Sequence, residues 1–141
     1  MADNFGLKIG VEGEKEFKNA LRDINQAFKV LGSEMALISS QFDKNDKSIQ
    51  ALTARNEILE KTIDAQKEKI ETLRSALDNA STSFGENDRR TQNWQIQLNK
   101  ALAELNGMER ELENNNKSLR DHSDATDESA DNMEDAADAA L

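Results

Sequence analysis

The chain has 141 residues, a net charge of −10, 33% charged and 36% hydrophobic residues, one Trp, one His, and no Pro, Cys or Tyr. That apolar content is low for a compact domain of this length and suits an elongated helix with one apolar stripe. The missing Cys removes disulfides, thiolate catalysis and Cys-based metal sites, and no apolar run approaches the ~20 residues of a membrane span.

Residues 1–13 form a leader. Its start lacks the basic and apolar regions of a signal peptide. Phe5, Leu7, Ile9 and Val11 alternate with other residues at strand period, which predicts a short N-terminal β-strand. One strand cannot satisfy its own backbone, so this one is expected to dock on a partner or stay flexible. Gly13 then permits a turn.

Residues 14–84 read as a heptad coiled coil. With Leu21 at position a and Ile24 at d, one frame runs from Phe17 to Phe84, and seventeen of its twenty a and d positions are apolar. The remaining forty-eight positions hold only Val30, Leu37 and Ile58 as large aliphatics. A sustained 4-3 repeat specifies a long helix that buries a seam against other helices. The predicted seam comprises Leu21, Ile24, Phe28, Leu31, Met35, Ile38, Phe42, Ile49, Leu52, Asn56, Leu59, Ile63, Ile70, Leu73, Leu77 and Phe84. Ala20, Ala27, Val30 and Leu37 widen the early part of this face, which suggests packing against more than one helix. Asn45, Asn56 and Gln66 are polar seam positions, read either as register-setting residues or as tolerated drift.

Residues 81–93 cluster small and polar side chains around Gly85, the one plausible break. Residues 85–120 continue the coil or form a second helix, with Trp94, Leu98, Leu105 and Leu112 in the seam. Counting sevens from Phe84 gives positions 91, 98, 105, 112 and 119, so the frame carries through. A single helix over 14–120 would be ~160 Å long, and a hairpin turning near Gly85 ~105 Å. The continuous helix is the favoured expectation. The fold class is thus all-α: a long coiled-coil helix, with a weak point or hairpin turn near Gly85, a short N-terminal strand and an acidic tail.

Residues 121–141 are that tail. They hold eight Asp or Glu and no Lys or Arg, whereas the preceding 120 residues carry twenty acids against eighteen bases. The tail reads as a frayed or disordered solvated end, or alternatively as an acidic contact for a basic partner. With no basic groove in this balance, no nucleic-acid site is expected.

No catalytic, cofactor or metal constellation emerges. His122 stands without a second His or a Cys near it. Asp43-Lys44-Asn45-Asp46 resembles part of a calcium loop but lacks its Gly and falls inside the heptad frame. Gly10-Val-Glu-Gly13-Glu-Lys15 has the wrong spacing for a phosphate loop. An enzyme is the least favoured class.

The run Phe5-Gly-Leu-Lys-Ile-Gly-Val-Glu-Gly-Glu-Lys-Glu-Phe17 leads into Leu21-Arg-Asp-Ile-Asn-Gln-Ala-Phe-Lys-Val-Leu-Gly-Ser-Glu-Met35, then Ser39-Ser-Gln-Phe-Asp-Lys-Asn-Asp46 and later Asn93-Trp-Gln-Ile-Gln-Leu-Asn-Lys100. Together these resemble the N-terminal region of tape measure proteins from long-tailed phages and prophages of Gram-positive bacteria. The resemblance implies a structural ruler that sets tail length and templates tail-tube assembly, as an extended coiled coil of several copies, commonly three. It implies tail-tube and tail-tip or assembly-chaperone proteins as partners, and a place in the virion tail lumen after assembly in the host cytoplasm. It also implies that the chain is the N-terminal part of a longer protein. Two readings compete: a cytoplasmic coiled-coil adaptor or spacer, and a secreted helical-hairpin effector of the Trp-x-Gly type, whose turn motif is absent here.

Overall fold

A computed structural model describes the backbone of residues 10–140 and the side chains of residues 10–122. It contains three helices: α1 (Val11–Gln41), α2 (Ile49–Phe84) and α3 (Arg89–Ala140). They fold back on one another. α2 runs antiparallel to both neighbours and packs on α1 along one side and α3 along the other. α1 and α3 therefore run in the same direction, and they meet through side chains near their starts.

The all-α class holds, but the continuous helix does not. The chain breaks twice, and each break has a local cause. At the first, Asp43, Asp46 and Ser48 offer the backbone side-chain acceptors that compete with helix. Asp43 Oδ1 accepts from the Asn45 N–H (3.1 Å) and Asp46 Oδ1 from the Ser48 N–H (2.8 Å). Ser48 Oγ then caps α2 by accepting from the Ala51 N–H (3.2 Å), and the Arg55 guanidinium donates to the carbonyls of Asp43 and Asp46. Phe42 and Asn45, placed in the seam by the repeat, lie in this connection.

The second break is at Gly85, whose φ of 92° and ψ of 157° belong to a region open essentially to glycine alone. Asp88 closes the turn. Its Oδ1 accepts from the Arg90 backbone N–H (2.8 Å) and Nε (2.9 Å), while Oδ2 accepts from another guanidinium nitrogen (3.0 Å). These contacts hold the Asp88 carboxyl down to about 2. The same guanidinium stacks on the Phe84 ring, 3.4 Å from its centroid.

The expected N-terminal strand is also corrected. Val11 is the first residue of α1, and no strand occurs among the described residues. Phe5, Leu7 and Ile9 lie outside them. α2 pins the residue before Val11 at both of its backbone groups. Asn79 Oδ1 and Ser83 Oγ accept from the Gly10 N–H (3.2 and 3.1 Å), and Asn79 Nδ2 donates to the Gly10 carbonyl (3.3 Å). Gly10, at φ 68°, makes the entry turn.

The core sits toward the Gly85 end. Phe17 and Leu21 from α1, Ile70, Leu73, Ala76 and Ala80 from α2, and Trp94, Leu98 and Ala101 from α3 form one buried cluster. The small Ala76 and Ala80 let the larger side chains of both neighbours reach α2, the alternation of size that tight helix packing needs.

Candidate functional site

The predicted seam residues are distributed unevenly over the bundle. Leu21, Ile24, Leu52, Asn56, Leu59, Ile63, Ile70, Leu73, Trp94 and Leu98 are buried. Phe28, Leu31, Met35, Ile38, Phe42, Leu77, Phe84, Leu105 and Leu112 are half-buried, and Ile49 is exposed. They cover one another within a single chain.

Polar side chains fix how the helices line up. Gln66, only 1% exposed, donates to the Ala101 carbonyl (2.8 Å). Asn56 donates to Asn116 Oδ1 (3.0 Å) and accepts from Asn115 Nδ2 (2.9 Å). Both contacts tie α2 to α3. Glu14 ties α1 to α3: its carboxylate, buried near the start of α1, accepts from Trp94 Nε1 at 2.9 Å. His122 Nε2 lies against the Lys47 carbonyl, linking α3 to the first turn. Among the described residues no buried side-chain nitrogen or oxygen lacks a partner. The Glu14–Trp94 pair and the Asn56 clasp carry no sequence signature of their own, since each depends on which helices meet and at what register.

One face is left incompletely covered. α1 buries Phe17, Leu21 and Ile24, but beyond them Phe28, Leu31, Met35 and Ile38 are only half-covered. Val30 and Leu37 are 49% and 60% exposed. Residues 30–42 carry one charge, Glu34, in a chain one third charged. Lys69 from α2 shields part of the stripe, its Nζ 5.6 Å from the Phe28 centroid. A weakly charged, half-buried stripe at helical spacing is suited to packing against another helix.

Among the described residues no group of three His, Cys, Asp or Glu could hold a metal ion, and no helix is long and apolar enough to cross a membrane. Asp43 and Asp46, considered above as part of a calcium loop, instead bond the backbone of their own turn. Comparison with protein-family models, curated proteins and solved structures finds no match.

Proposed function

We propose that the chain is a non-catalytic structural module of a phage tail, of the tape-measure kind, and that it acts through helix-to-helix association. The carrying observation is the distal half of α1, where the regular apolar spacing exceeds what α2 covers. The resemblance, which covers most of residues 5–120, supplies the setting: assembly in the host cytoplasm, a final place in the tail lumen, and tube, tip or chaperone proteins together with further copies as partners. As a folded unit the bundle has an axial length of ~54 Å, that of α2 at ~1.5 Å per residue.

The test is an in-frame deletion of residues 10–122 in a phage that carries this sequence, with tail lengths measured by electron microscopy. Loss of tails, or tails shortened by up to ~54 Å, supports the reading. Tails unchanged in number and length refute it and leave the adaptor reading. The secreted-hairpin reading is disfavoured by Trp94, which lies inside α3 and bonds Glu14 of α1, so the folded unit has three helices.

A further inference from the structure

α1 carries a second pattern besides its apolar stripe. Lys15, Lys18, Arg22, Asn25 and Lys29 follow steps of three, four, three and four residues, which places them along one face of a helix. Lys18, Arg22, Asn25 and Lys29 line a groove of about 500 Å³ between α1 and the start of α3, together with Leu21 and Trp94. The four basic residues are exposed. The ion pairs of the described residues, Glu57–Lys61, Asp88–Arg90 and Glu113–Arg120, use none of them.

The complementary pattern is at the other end of the same chain. Asp121, Asp124, Glu128, Asp131, Asp135 and Asp138 repeat at steps of three, four, three, four and three, in a stretch without one Lys or Arg. α3 remains helical to Ala140. It passes the first turn at His122 and runs on beyond the end of α1 at Gln41. Lys29, the groove residue nearest that end, stands twelve residues or ~18 Å before it, and α3 runs away from it, so a tail that stays helical does not return to its own groove. It does point along the axis on which another copy's groove can receive it.

We propose that the acidic stretch of one copy docks along the Lys15–Lys18–Arg22 ridge of the next, joining copies head to tail. The matched spacing and opposite charge select a second copy as occupant. The contact uses different surfaces on its two sides, so it generates a ring where the rotation closes and an open filament where it does not. The inference is independent of any role in a phage tail.

The test is sedimentation of the full chain at salt concentrations from about 0.05 to about 0.5 M, across which the Debye length shortens severalfold. Three variants accompany it. One reverses the ridge (Lys15→Glu, Lys18→Glu, Arg22→Glu), one reverses the tail (Glu128→Lys, Asp131→Lys, Asp135→Lys), and one combines all six, which keeps the net charge of −10. Circular dichroism checks that each remains helical. Wild type should associate at low salt and dissociate as salt rises. Either single reversal should weaken association at least about tenfold, as loss of several exposed ion pairs implies, and the combined variant should regain it. A synthetic peptide of residues 121–141 should dissolve wild-type assemblies, an arm that needs no variant to fold. Four results would overturn the proposal: a wild-type monomer at low salt, association indifferent to both reversals, loss on reversing the ridge but not the tail, or no recovery in the combined variant.

Discussion

Replacing Gly85 by alanine should change stability in opposite directions for a bundle and for a continuous helix. In the bundle Gly85 sits at φ 92° and ψ 157°, where an L side chain is strained by about 1–3 kcal/mol. A Cβ there would meet nothing within 4 Å, so the cost is in the backbone alone and crowding adds nothing. In an unbroken helix the same substitution would replace a poor helix former by the best one and stabilise by about 1 kcal/mol. The assay is urea unfolding followed by circular dichroism. At a slope of about 2 kcal/mol per M, a loss of about 2 kcal/mol lowers the midpoint by about 1 M. Gly107→Ala is the internal control. Gly107 is helical within α3 and a Cβ there also has open space, so that variant should gain about 0.5–1 kcal/mol. A raised midpoint for Gly85→Ala would refute the turn at Gly85 and the packing of α2 on α3 that depends on it.

Glu14→Ala removes the acceptor of the buried Trp94 N–H and should cost about 1–3 kcal/mol. Because Trp94 is the sole tryptophan, its emission should also change. Leu73→Ala, at a fully buried site in the centre of the core, should cost about 2–5 kcal/mol in the same urea assay. Asn56→Ala breaks both bonds to Asn115 and Asn116 and should cost about 1–2 kcal/mol, with increased hydrogen exchange near the start of α2. Asp88, held down to about 2 from an ordinary 3.8 by its bonds to Arg90, binds its proton more weakly folded than unfolded. Its contribution is therefore complete above pH ~4 and disappears as pH falls toward ~2. Asp88→Asn should flatten the acid limb of the stability profile in that window. An unchanged acid limb would count against the Asp88–Arg90 turn.

The apolar stripe was legible in the sequence because its spacing is a property of the helix and not of its partner. Ile24, Leu59, Ile63 and Leu73 face inward in an antiparallel bundle as they would in a parallel coil. What spacing alone cannot encode is direction, and the unbroken frame argued for the wrong one. A phase that survives counting through Phe42 and Asn45 does not require those residues to be helical. The signal for the first turn was present in Asp43, Asp46 and Ser48, whose side chains bond backbone groups two or three residues on. The seam positions on either side outweighed it. At the second turn Gly85 was the residue singled out, and its effect depends on conformation. In a helix it is a modest weakness, whereas at φ 92° it is the residue that permits reversal. The contacts that align the helices belong to pairs far apart in sequence, such as Glu14 with Trp94 and Asn56 with Asn115. No local pattern announces such pairs.

The register of the bundle sets a length for the proposed assembly. Glu14 stands level with Trp94, whose indole nitrogen it bonds at 2.9 Å, an offset of eighty residues between α1 and α3. On that scale Lys15, Lys18 and Arg22 are level with positions 95, 98 and 102 of α3. Docking Glu128, Asp131 and Asp135 of a preceding copy against them shifts one copy past the next by thirty-three residues of helix, or ~50 Å. That shift falls ~4 Å short of the ~54 Å length of α2, so successive bundles meet nearly end to end while the tail of each lies alongside the next. A register one heptad earlier shortens the repeat to ~39 Å and drives the bundles into overlap. The charge repeat admits registers a heptad apart, and the length of the bundle selects among them. Filaments formed at low salt should therefore show an axial repeat near 50 Å in electron micrographs, and a repeat near 160 Å would instead mark an unfolded-back rod.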